Sequence, residues 1–148
     1  MAGSSMTFTY DDGVDGVGVR GSIRKVIAEF LTDDSTGSVA GTTRKISGEL
    51  IKIVTDPGSA APTENWDVVL TDEEGVDLSV HMSDGVIAAL IARDTANTEE
   101  TYLTLEDTAA GTSAMAAFPV VCDKLTITVN NAGNAKTGQI IIYYRPGA

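Results

Sequence analysis

Few residues in this sequence have the type and spacing that chemistry requires, and the first of them are glycines. The stretch GVGVRG places Gly16, Gly18 and Gly21 in the GxGxxG spacing, which lets a backbone approach a pyrophosphate at a helix N-terminus. Such a site also needs a buried parallel strand before it and βαβ units after it, and neither pattern is visible. GNAKTG lacks both glycines of a phosphate loop, since Asn130 and Ala135 stand in their places. The first stretch is therefore interpreted as a flexible glycine-rich loop and the second as a hairpin loop.

The acidic stretch DDGVDG raises the question of calcium. Asp11, Asp12 and Asp15 offer hard oxygen ligands next to glycines. In an EF-hand frame that starts at Asp11, however, the third position is Gly13 and the twelfth is Ser22 rather than a bidentate glutamate. A calcium loop of another kind stays open as an alternative.

Nucleophilic catalysis and zinc binding find little support in the residue types. His81 is the one histidine, and Ser83 and Asp84 are too close to it in sequence to complete a triad unaided. Cys122 stands alone and is predicted to be a small buried hydrophobe, because a zinc site needs more Cys or His ligands. We predict no catalytic residue, no metal ligand and no cofactor, and we expect that the chain is not an enzyme.

Length and charge narrow the class of protein. A chain of 148 residues fits one domain, and 21 acidic against 10 basic residues give a formal charge of -11, which opposes nucleic-acid binding. The longest apolar run, residues 86–92, is too short to span a membrane. The N-terminal residues lack the features of a signal peptide, so folding in a reducing cytoplasm is expected.

Half of the basic residues lie between positions 20 and 45. A solvated sheet face would explain this cluster, and so would a surface for an acidic protein partner. The candidate partner-binding residues are Arg20, Arg24, Lys25, Arg44 and Lys45.

Strand signals dominate the rest of the chain. Residues 23–31 fit both helical and strand spacing, but the turn cluster TDDSTGS and the Thr- and Ile-rich run after it favour a β-hairpin. Residues 66–70 predict a strand, Asp72 to Gly75 a turn, and Val76 to Met82 a return strand with Val76 and Leu78 on one face. The C-terminal segment predicts a second hairpin that turns at residues 130–134. The predicted core contains Phe30, Trp66, Val68, Leu125, Ile127, Val129, Ile140 and Ile142.

These signals predict an all-β protein, an antiparallel β-sandwich or barrel-like domain with at most one short helix, at residues 83–94. The glycine-rich residues 1–19 are predicted to be a flexible N-terminal arm, although MTFTY within them also fits a short strand. Residues 20–148 are predicted to form a single β domain.

Three segments carry a resemblance to a known class of proteins: residues 41–78, 93–103 and 119–145. Together they resemble small all-β structural proteins of tailed bacteriophages, over about residues 22 to 145. The resemblance implies a virion protein made in the host cytoplasm, most specifically a capsid decoration or cement protein. It implies the major capsid protein as partner and a homo-oligomer, commonly a trimer. A tail, neck or head-fibre component with a ligand- or carbohydrate-binding β domain is the alternative, with Trp66, Tyr143 or Tyr144 as stacking faces for a sugar.

Overall fold

The computed structural model of this chain describes residues 3–12, 23–76, 78, 98–102, 105–107 and 114–147. Within these ranges the secondary structure is entirely β, which confirms the all-β prediction; the helix predicted at 83–94 lies outside them. No helix in the described ranges is long and apolar enough to cross a membrane. The strands are β1 (Ser5–Asp11), β2 (Arg24–Leu31), β3 (Val39–Thr42), β4 (Ile46–Pro57), β5 (Asp67–Thr71), β6 (Glu99–Tyr102), β7 (Leu105–Asp107), β8 (Ala114–Ala117), β9 (Val120–Asp123), β10 (Thr126–Asn130) and β11 (Thr137–Pro146).

Two antiparallel sheets pack together as a sandwich. The large sheet has six strands in the order β1-β2-β11-β4-β6, with β9 also paired to β4. The small sheet has the order β3-β10-β5, and β7 pairs with β8 separately. The two long strands β4 and β11 form the middle of the large sheet, so most of its other strands are placed relative to them.

The core lies between the two sheets and follows from period-two alternation. In β2, for example, Val26, Ala28 and Phe30 are buried, while Ile27 is only partly buried and Glu29 is exposed. Trp66 is fully buried, and its ring lies 5.5 Å from that of Phe30. All eight residues predicted for the core are buried, namely Phe30, Trp66, Val68, Leu125, Ile127, Val129, Ile140 and Ile142.

Both predicted hairpins are wrong, although their strands exist. β10 pairs with β3 and β5 in the small sheet, whereas β11 pairs with β2 and β4 in the large sheet. Residues 131–136 therefore form an arch that crosses from one sheet to the other. Likewise β2 and β4 do not pair, because β11 lies between them. Alternation shows which face of a strand is buried, and that face is the same in a hairpin and in an arch.

The prediction of a flexible arm over residues 1–19 is wrong for Ser5–Asp11, which form β1. β1 pairs with β2 from Ser5↔Leu31 to Asp11↔Lys25, in agreement with the alternative of a short strand. Its side chains Met6 and Phe8 pack over Gly41 of β3, where an added Cβ would lie 2.8 Å from Met6 Sδ. Period-two apolar residues, not the glycines around them, decide the structure of Ser5–Asp11, while residues 13–19 lie outside the described ranges.

The turn after β5 forms as predicted, but the segment after it does not alternate as expected. Gly75 has φ +78°, a conformation that glycine adopts without steric cost. Val76 is 45% exposed whereas Leu78 is 7% exposed, so these two do not share a buried face. Residues 79–82, with His81 among them, lie outside the described ranges.

Candidate functional site

The C-terminal end of β1 gathers the candidate basic residues that the structure brings together. Lys25 Nζ lies 3.6 Å from Asp11 Oδ2, and an Arg44 guanidinium nitrogen lies 3.1 Å from Asp12 Oδ1. The Arg44 guanidinium also stacks on the Tyr10 ring, 4.0 Å from its centre. The backbone N–H of Arg44 donates to the Tyr10 hydroxyl at 2.6 Å. We call Tyr10, Asp11, Asp12, Lys25 and Arg44 the β1-end cluster. Two cations face two carboxylates there, so its charges balance.

The remaining candidate basic residues are placed differently. Arg24 is half-buried, and its Nε finds no hydrogen-bond partner among the described residues. Lys45 is exposed and follows Arg44 directly. Arg20 lies outside the described residues. Exposed ion pairs like those of Lys25 and Arg44 contribute about 0–1 kcal/mol each to stability, so the cluster can exchange its partners at low cost.

The calcium hypothesis for residues 11–16 loses two of its ligands to this cluster. Asp11 and Asp12 face the side chains of Lys25 and Arg44 on different elements rather than one common point. The third carboxylate, Asp15, lies outside the described residues.

A second acidic group forms where β5 and β9 end. Asp72, Glu74 and Asp123 each place one carboxylate oxygen within 4.8 Å of the others. Hydrogen bonding to Asp123, followed by charge repulsion from it, raises the pKa of Glu74 above its usual value. No local pattern in the sequence indicates this group, because Asp123 is distant along the chain and approaches the turn only through the fold.

Chemically, these three carboxylates can share a proton or contact a hard cation. Calcium takes about six to eight oxygens, so the three side chains supply about half of a full coordination shell. Asp72 Oδ1 is already engaged, because it accepts a hydrogen bond from the Val76 backbone N–H at 2.8 Å. Asp72 therefore serves first to hold its own turn.

Cys122 borders a shallow groove of about 480 Å³ at the start of β4 and the end of β11. Its thiol was predicted to be buried, and this is wrong: Cys122 is exposed and pairs with Ser47 on the outer side of the large sheet. In β9 the buried residue is Val121, whereas Val120 is 74% exposed. Because Val120, Val121 and Cys122 are all apolar, the sequence of β9 does not show which of its side chains face the core.

The aromatic residues considered for sugar stacking are mostly unavailable. Trp66 is fully buried and Tyr144 is 4% exposed. Tyr143 is partly buried on the outer face, where Lys52 Nζ lies 4.8 Å from the centre of its ring. These positions argue against a stacking platform built on Trp66.

Comparison with known proteins identifies no relative: no protein-family model and no curated protein matches this sequence.

Proposed function

We propose that this protein is a structural component of a tailed-bacteriophage virion, and specifically a decoration protein that binds the assembled capsid shell and stabilises it. The observation that carries the proposal is the two-sheet all-β sandwich, which agrees with the fold that the resemblance over residues 22–145 implies. The major capsid protein is the proposed partner.

The outer face of the large sheet supports a role in docking. Its polar side chains are held by bonds between neighbouring strands: Gln139 donates to Glu29 at 2.8 Å, Lys52 lies 2.9 Å from Glu100, and Arg145 lies 3.0 Å from Glu49. Side chains that are already ordered lose less conformational freedom when a partner binds. Such a surface suits repeated, rigid contacts with a protein lattice.

The β1-end cluster is the proposed site of salt-sensitive contact. Its Arg44 side chain is 52% exposed, and the exposed Lys45 adjoins it. An acidic surface on the shell could replace Asp12 as the partner of Arg44 without a large loss of stability. Binding should then weaken as the ionic strength rises, because salt screens exposed charges.

The copy number of this protein in purified virions tests the proposal. Quantitative mass spectrometry should find on the order of hundreds of copies per particle if the protein decorates a symmetric shell. A count of about a dozen or fewer would assign it to the neck, tail or a fibre, since those parts repeat about three- to twelvefold. Its absence from particles would refute the virion role.

Binding to emptied capsids, measured by co-sedimentation at low and high salt, tests the docking surface. The charge-reversing variant K45E should bind more weakly than the intact protein, whereas K136E, at a half-buried position in the arch, should bind equally. Deleting residues 2–19 is not a clean test, because it removes β1 and uncovers the edge of β2.

A further inference from the structure

Among the strands that the structure describes, β1 stands at one edge of the large sheet and has β2 as its one neighbour in the sheet. β1 pairs with β2 along all seven of its residues, and no other backbone hydrogen bond to Ser5–Tyr10 is found within residues 3–12, 23–76, 78, 98–102, 105–107 and 114–147. In an antiparallel pair, alternate N–H and C=O groups point away from the partner strand. With respect to the described part of the chain, the outer edge of Ser5–Tyr10 therefore presents a row of unpaired backbone groups.

The edge of β5 in the small sheet differs from that of β1, because the chain that follows β5 forms backbone hydrogen bonds with it. The chain turns back after β5, so that the Leu78 N–H donates to the Leu70 carbonyl at 2.8 Å and the Asp72 N–H donates to Val76 at 3.1 Å. β1 also lacks the usual devices that prevent strand addition, since it contains no proline, no lysine and no bulge in its register. Its one charged residue, Asp11, stands at its end and faces Lys25.

We propose that β1 pairs with β1 of a second copy of this chain, antiparallel and centred on Phe8. In that register Phe8 faces Phe8 of the second copy, Thr7 faces Thr9, and Met6 faces Tyr10. Apolar side chains thus meet apolar ones on the inner face, and threonines meet on the outer face, both favourable cross-strand pairs. Asp11 faces Ser5, so no like charges oppose each other even though each chain carries a formal charge of -11.

This self-complementarity is what selects a second copy as the occupant. Met6, Phe8 and Tyr10 are only partly buried against the core, and the same three side chains of the second copy would lie beside them. An antiparallel pair of identical strands has two-fold symmetry, and both chains use the same surface. The inference predicts a dimer where the phage resemblance implies a trimer, and it does not depend on the decoration role.

Light scattering coupled to size-exclusion chromatography tests the pairing on the intact chain. The expected mass is twice the 15.4 kDa of one chain, and it should fall to that of one chain in the double variant T7K/T9K. Thr7 and Thr9 are exposed, and in the proposed register the two substitutions place lysine opposite lysine. The matched control S59K/A60K adds the same charge on an exposed loop and should remain dimeric.

A mixture of two oppositely charged variants tests whether Thr7 and Thr9 face each other across the dimer. The T7E/T9E variant should also be monomeric alone, but together with T7K/T9K it should form a dimer, because each lysine then faces a glutamate. Hydrogen exchange provides a readout without substitution: the amides of β1 should exchange more slowly as the concentration of the intact protein rises, whereas those of β5 should not change. A monomeric or trimeric intact protein, a dimer that survives T7K/T9K, or a mixture that stays monomeric would overturn the proposal.

Discussion

The two ends of the small sheet hold carboxylates in opposite surroundings. At the end near the arch, Asp33 accepts hydrogen bonds from the Ser35 N–H at 2.9 Å and the Gly37 N–H at 3.1 Å, and from both the hydroxyl and the N–H of Thr36. At the other end, Glu74 faces Asp123. The hydroxyl of Thr36 and the three N–H groups lower the pKa of Asp33, whereas Asp123 raises the pKa of Glu74.

The difference shows that the neighbours of an exposed carboxylate, rather than its burial, set its effect on the fold. Donors around Asp33 stabilise its charged form, so ionisation favours the folded state at that end. A second carboxylate beside Glu74 makes ionisation unfavourable at the other end. The same chemical group therefore stabilises one turn and strains the other at neutral pH.

The end near the arch is also bound into the core by a buried hydroxyl. Thr32 is fully buried; its Oγ1 donates to the Gly133 carbonyl at 2.7 Å and accepts from the Lys136 N–H at 2.9 Å. The Thr32 N–H in turn donates to the Lys136 carbonyl at 2.9 Å. Bonds across this long sequence separation join the turn at Asp33 to the arch, so we expect that end to be the more stable of the two.

The largest predicted loss of stability is for a substitution in β10, the core strand between the two ends. Ile127→Ala should lower the free energy of unfolding by about 2–5 kcal/mol, because it leaves a cavity at a fully buried position of β10. Chemical denaturation measures this. Val69→Ala, on the outer face of β5, is the control and should cost much less. A loss below about 0.5 kcal/mol for Ile127→Ala would contradict its place in a close-packed core.

Thr32→Val removes the hydroxyl from the clasp, the name we give to the bonds that join Thr32 to Gly133 and Lys136 at the end near the arch. It keeps the shape of the side chain but leaves the Lys136 N–H without its hydroxyl acceptor, and we expect a loss of about 1–3 kcal/mol in unfolding free energy. The control Thr128→Val makes the same change at a partly buried position on the outer face of β10. Equal stabilities of the two variants would mean that the clasp adds nothing beyond the rest of the arch.

The two strands that the arch connects show which features of the fold the sequence alone could predict. The alternation in residues 125–129 and 140–142 correctly predicted which side chains are buried, because period two is a local property. It could not show that Ile127 pairs with Gly41 and Leu70 rather than with β11, because strand pairing is decided by contacts between distant segments. For the same reason the sequence could not predict that Asp123 approaches Glu74. The ion pairs of Lys25 and Arg44 were missed for another reason: they form at the end of β1, in a segment whose glycine content predicted a flexible arm.

Asp33→Asn tests the stabilising carboxylate. The pKa of Asp33 is lowered from its ordinary value of 3.8, so its contribution to stability is full above about pH 4 and is lost as the pH falls through the lower folded-state value. We expect Asp33→Asn to lower the melting temperature at pH 7, by less than Thr32→Val, and the gap from the intact protein should narrow in acid. Asp34→Asn removes the same charge one residue away, where the described residues place no comparable set of donors around the carboxylate, and it should have little effect at either pH.

Glu74→Gln should have the smallest effect and the opposite sign. The pKa of Glu74 is raised above its ordinary value of 4.5, so the folded state binds the proton more tightly than the unfolded chain does. Stability from this group is therefore present below about pH 4.5 and is lost as the pH rises through the folded-state value. Removing the charge should raise the melting temperature slightly at pH 7, and this gain should disappear near pH 4.

Glu73→Gln is the matched control for this last prediction. It removes the same charge from the neighbouring exposed residue of the turn, which is not part of the three-carboxylate group. General relief of the -11 charge would stabilise both variants alike. Stabilisation by Glu74→Gln alone would instead trace the effect to Asp123, and lower stability of this variant at pH 7 would show that the ionised carboxylate holds the turn, as Asp33 does at the other end.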